Sequence, residues 1–196
     1  MTRKHEITEA DILAPEVYAA ERAERRRAIV ALKRQRRVAV GPFVTFSFEN
    51  YETMWFQIHE MLHIEKGGRE QIADELAAYN PLVPKGRELV ATFMIEIDDP
   101  ERRHQELSQL GGIEETAFLR FDGETVAAEP ERDQDRTTEE GKASSVQFVH
   151  FRLTPAQIAR FRVVGTEVVL GLRHPRYGHM AVLPEPVRAE LARDFA

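Results

Sequence analysis

Apolar residues recur at two spacings along this chain, and the order of the two constrains its fold more than any residue count does. Between Glu9 and Tyr79 they fall mostly three and four apart, with one alternating run at Val38–Phe48; from Glu88 onward they mostly alternate. Helices early and strands late describe an α+β domain with a mainly antiparallel sheet, not a doubly wound fold. Thr8-Glu9-Ala10-Asp11 has the form of a capping box, so a first helix is expected from near Glu9, restarted by Pro15 and running to about Gln35. Its apolar stripe is thin, so most of it should be wet. Gly41-Pro42 interrupts the Val38–Phe48 run. Asn50 can cap a helix over 51–65 with Tyr51, Met54, Trp55, Ile58, Met61 and Leu62 on one face, and a second helix is expected over about 69–79. PLVPKG reads as a linker. Strands are expected at Glu88–Ile97, 116–121, 124–129, Ser145–Leu153, 166–172 and near 179–183, with Asp122-Gly123 as a hairpin turn. Asp99-Pro100 and Thr154-Pro155 open short helices, and Pro186 starts a last amphipathic one. The expected architecture is N-terminal helices packed on a mainly antiparallel sheet of about six strands, with a short C-terminal helix.

At 196 residues the chain is read as one domain, 1–196, with a basic helical N-terminal segment (1–37) and a mobile acidic loop (130–143). It has no cysteine, which excludes a disulfide scaffold, thiolate zinc, iron–sulfur ligation and a cysteine nucleophile. No apolar run suits a signal peptide or a membrane span, so a cytoplasmic protein without a membrane partner is expected. No glycine-rich loop follows a strand and no G-x-S-x-G occurs, so a nucleotide cradle and a serine elbow are unsupported.

The net charge of −6 conceals two opposed blocks. Residues 21–37 carry eight basic and two acidic side chains, and residues 96–140 carry fifteen acidic and five basic ones. Such a dipolar chain can steer a partner. Arg25, Arg26, Arg34, Arg36 and Arg37 are candidates for phosphate or for an acidic protein surface. No aromatic stands between Tyr18 and Phe43, which argues against nucleic acid bound by stacking.

His59-Glu60-Met61-Leu62-His63 fits H-E-x-x-H. On a helix, residues four apart share a face, so His59 and His63 can grip a divalent zinc or iron while Glu60 activates water. The longer pattern with a third ligand fails, because Lys66 stands where glycine is wanted and Arg69 where histidine is wanted. His150, His174 and His179 form a second candidate metal set on late strands, with Arg152 and Arg173 near them as anion-binding candidates.

The run RRVAVGPFVTFSFEN, the segment QIHEML, the phrase YNPLVP and the tail LTPAQIARFR…VVLGLRHPRYGH resemble a bacterial family, domain-of-unknown-function family number 3501, from Ile7 to Phe195. The resemblance implies no catalytic residues. Genes of that family often sit beside rubrerythrin-like proteins and iron–sulfur oxidoreductase subunits, which implies an accessory role near redox or oxidative-stress chemistry. The leading expectation is therefore a cytoplasmic binding or accessory protein with a protein partner, or a homo-oligomer pairing basic helix with acidic loop. The alternative is a metal-dependent hydrolase using the HEMLH motif. The third is RNA or phosphate binding through the arginine-rich helix.

Overall fold

A computed structural model describes residues 4–131, 137 and 141–196. Asp11 accepts from both the N–H and the hydroxyl of Thr8, but only around a 3-10 turn, Glu9–Asp11. Ala14 takes an extended conformation before Pro15, as pre-proline residues do, and the long helix α1 (Pro15–Arg34) begins there instead. Its only buried residues are Tyr18 and Ile29, so the helix is largely wet as its thin stripe foretold. Asn50 accepts from the Thr53 N–H and caps α2 (Tyr51–Glu65), which ends at Lys66 in a left-handed turn with φ 55°. Helix α3 (Gly68–Tyr79) follows at once.

Nine strands form two antiparallel sheets among the described residues. The first is β1 (Arg37–Val40), β2 (Val44–Glu49), β3 (Glu88–Ile95), β7 (Val146–Arg152) and β6 (Glu129–Pro130), in that spatial order. The second is β5 (Glu124–Ala127), β4 (Ala117–Phe121), β8 (Val168–His174) and β9 (Tyr177–Val182). Two expected strands are split. Gly41, at φ 75°, folds the Val38–Phe48 run into a hairpin in which Val40 faces Val44. The 124–129 run changes sheets at Ala128: β5 pairs with β4 and β6 pairs with β7. Helices α4 (Pro100–Leu107), α5 (Pro155–Phe161) and α6 (Glu185–Leu191) border the sheets.

The large core lies between the sheets, where Phe46, Phe93, Leu119, Phe151, Leu170 and Phe161 are buried. A smaller core lies on the opposite face of the first sheet, where Val90 and Phe148 meet Met54 and Ile58 of α2 and Ile7. The PLVP segment, expected as a linker, belongs to this core: Leu82 and Val83 are buried, and the Asn80 side chain clasps the backbone of Ile7 through both of its polar atoms. The molecule is therefore helices, sheet, sheet. Of the expected acidic loop, residues 132–136 and 138–140 lie outside the described residues, while Thr137 bridges to Ala143. Among the described residues no helix is long and apolar enough to cross a membrane.

Candidate functional site

Helix α2 places the HEMLH residues against α1, and their environments differ. His59 is buried, 2% exposed. Its Nδ1 lies 2.8 Å from the Trp55 carbonyl and must donate; its Nε2 lies 3.0 Å from the Leu13 N–H and must accept. The two backbone partners fix one neutral tautomer. Burial, the first cause, and the nearby Arg25 charge hold His59 below its ordinary pKa. Glu60 is bound by Arg22 through both oxygens, at 2.7 and 2.8 Å, and by the Tyr18 hydroxyl at 2.7 Å. The Arg22 bonds, chiefly, hold its carboxyl down at about 2. His63 is half-buried, its ring 6.0 Å from that of Tyr18. A metal on His59 would have to displace a backbone bond, and a water base at Glu60 would have to leave a bidentate guanidinium.

His150 stands on β7, on the helical side of the first sheet, with Nδ1 3.1 Å from Glu88 and Nε2 2.7 Å from Glu131. Two carboxylates on two ring nitrogens are both satisfied only by the imidazolium; burial opposes its charge, but the two partners raise its pKa nonetheless. His174 belongs to the other sheet and contacts the Gly111 carbonyl and the Arg176 N–H. His179 packs on the Tyr177 ring at 4.5 Å. The three histidines expected to converge thus have separate partners. Among the described residues no three His, Asp or Glu side chains gather so as to hold a metal ion.

The arginines divide likewise. Arg36, expected at the surface, is 1% exposed. It donates to the Phe48 and Glu49 carbonyls, to Glu190 at 3.2 Å and to Asp194, and so locks the end of α6 onto the first sheet. The correction has a plain reason: strand β1 begins at Arg37, and a strand turns alternate side chains inward, so the residue before it leaves the basic surface. Arg25 pairs with Glu21 and lies over Trp55 at 4.6 Å. Arg152 pairs with Glu129 at 3.0 Å, and Arg173 covers the Phe118 ring at 4.1 Å. Arg26, Arg27, Arg34 and Arg37 are exposed and form no ion pair among the described residues.

A cleft of about 760 Å³ opens between two walls of the helical layer. One wall is the stretch that leads into α1, with Ile12, Leu13, Tyr18 and Ala19; the other is the α2–α3 corner, with His59, Leu62, His63 and Ile72. Glu9 and Glu16 stand on the first lip, Lys66 and Arg69 on the second. The lining is mainly apolar, and the volume is that of a small-molecule site. As site residues the sequence offers only His59 and His63 of this set. The signal for the rest is indirect: Gly67-Gly68 marks a sharp corner, and the two residues that break the longer zinc pattern are the two cations of the lip.

The family described as "Protein of unknown function (DUF3501)" matches residues 6–195. A crystal structure of a "novel protein of unknown function" from Burkholderia pseudomallei K96243 is similar throughout, with TM-score 0.90 and 38% sequence identity over 97% of this chain and 99% of that one. A comparison with curated proteins found no match.

Proposed function

The chain belongs to the DUF3501 family of proteins of unknown function, and from that premise we propose that it is a non-catalytic binding protein whose site is the cleft between the α1 entry and the α2–α3 corner. One observation carries this: an apolar cleft of about 760 Å³ whose floor groups, His59 and Tyr18, are already bonded to the protein. Such a floor gives shape and polarity with its imidazole and phenol already engaged. The HEMLH motif then serves to build the cleft, with His59 joining α2 to the backbone at Leu13. An accessory role beside redox enzymes fits a protein that has no cysteine and so relays no electrons through thiols.

The test uses the single tryptophan. Trp55 packs tilted against His59 at a ring distance of 3.9 Å and meets the Tyr18 ring at 6.2 Å, so a ligand on the cleft floor should alter its fluorescence. Nile red, a neutral apolar dye, is expected to bind with a Trp55 response, and Ile72→Gln to weaken it roughly tenfold by removing apolar contact. Dye binding that Ile72→Gln leaves unchanged would place the site elsewhere.

A second surface favours a protein partner. Arg26, Arg27 and Arg34 fall within about 120° of helix surface, around the exposed Val30, given 3.6 residues per turn. A basic face with a small apolar centre suits an acidic protein surface. Its binding should weaken with salt and with Arg26→Glu/Arg34→Glu; tighter binding to generic RNA than to polyglutamate would favour the nucleic-acid reading.

A further inference from the structure

The geometry points to the ligand class of the cleft: we propose that it takes a small apolar monocarboxylate, its hydrocarbon body against Ile12, Leu13, Leu62 and Ile72 and its carboxylate at the lip formed by His63, Lys66 and Arg69. The inference rests on the reading that the cleft binds a ligand.

The two lips carry opposite charges, and they are not equally compensated. Glu16 stands in the first turn of α1, where the aligned peptide dipoles favour a carboxylate. Glu9 opens its own 3-10 turn and is exposed to water. Across the cleft, Arg69 stands in the first turn of α3, where the same field disfavours a cation, and α3 begins without a side-chain cap. Neither Lys66 nor Arg69 forms an ion pair or a side-chain hydrogen bond among the described residues, and both are exposed. The left-handed backbone of Lys66 turns the chain sharply between α2 and α3, which brings both cations and the half-buried His63 to one rim. Neither lip has an ion pair among the described residues, but only the negative one stands in a favourable helix field, so an anion from solution completes the positive lip through charge-assisted hydrogen bonds.

Charge and solvation together select among anions. Attraction to Lys66 and Arg69 and repulsion from Glu9 and Glu16 both grow in proportion to the ligand's charge, whereas the cost of taking that charge out of water grows with its square, so a mainly apolar cleft favours a monoanion. A carboxylate is thus favoured over a phosphate monoester. The apolar share of the lining asks that the rest of the ligand be hydrocarbon or aromatic.

Four probes with one chain length separate the possibilities: octanoate, 1-octanol, octylamine and octyl phosphate, titrated by Trp55 fluorescence and calorimetry. Octanoate should bind roughly tenfold tighter than octanol, the size of a charge-assisted hydrogen bond. The double variant Lys66→Asn/Arg69→Gln should bring octanoate to the octanol level and leave octanol unchanged; asparagine is chosen because it tolerates φ above zero. Octanol and octanoate binding equally would overturn the carboxylate assignment while leaving the cleft as a binding site. Octylamine binding tightest would hand the site to the acidic lip, and octyl phosphate binding tightest would replace the monoanion by a dianion. If none of the four binds and Nile red also fails, the cleft is no site and both readings fall.

Discussion

Between pH 7 and 5, His59 and His150 meet protons in opposite ways, because different atoms face their ring nitrogens. His59 has one backbone acceptor and one backbone donor, so protonation breaks the Leu13 bond. Its pKa is held below the ordinary 6.5, so its share of stability is present above 6.5 and is lost as pH falls toward its folded value. His150 has two carboxylates, and its pKa is raised above 6.5. Its share is complete below 6.5 and is lost as pH rises through the folded value. Glu88, whose pKa is lowered from 4.5, adds stability above 4.5 that is lost as pH falls further. The His150–Glu88 pair is thus fully effective between about 4.5 and 6.5. Urea midpoints at several pH values test both signs. His59→Gln should flatten the loss of stability below pH 6.5, and the deficit of His150→Gln should be largest near pH 5.5 and shrink in alkali. Arg36 yields a separate prediction. Truncation to alanine leaves Glu190 and Asp194 buried without their shared cation and should cost about 3–5 kcal/mol in urea unfolding. A midpoint unchanged within error would mean that water reaches that site.

The elements of the site were drawn by local chemistry that the sequence displays. The Asn50–Thr53 cap and the spacing of Met54 and Ile58 set α2 between the residues expected for it, and the capping box at Thr154 opens α5 where it was expected. The β1–β2 hairpin is the sensitive element. A Cβ on Gly41 would lie 2.6 Å from both the Tyr177 hydroxyl and the His179 ring, at a φ of 75° that side chains rarely adopt. Tyr177 itself donates to the Val40 carbonyl at 2.8 Å and accepts from the Phe43 and Val44 N–H groups, which ties this hairpin to the second sheet. Gly41→Ala should therefore lower stability by more than ~1 kcal/mol, and a thermal melt would show it. The 3-10 turn before α1 shows the converse: a capping-box sequence at Thr8 opens three residues only, because Pro15 stands too close to let the helix continue.

On the scale of the whole molecule, the motif and the charge blocks take roles that spacing alone does not assign. Metal analysis of protein purified without a histidine tag should find well below one equivalent of zinc or iron, since His59 and Glu60 hold internal partners that a metal would have to displace; a stoichiometric metal lost in His59→Ala/His63→Ala would restore the hydrolase reading. The sequence by itself determined the α+β class, nearly every helix, the hairpin at Asp122-Gly123 and the wet, basic character of α1, because periodicity, caps and turn residues act over a few neighbours. It could not separate Arg36 from Arg37, since one is sealed against Asp194, which is distant in sequence, and the other is exposed. Nor could it show that His59 is occupied by the Leu13 backbone, that His150 meets Glu88 and Glu131, or that Ile12 and Ile72 face one cleft. Those facts depend on which segments pack together, and packing is decided by shape and burial over the whole chain. A spacing of four on a helix places two imidazoles on one side; only the tertiary structure says what already stands there.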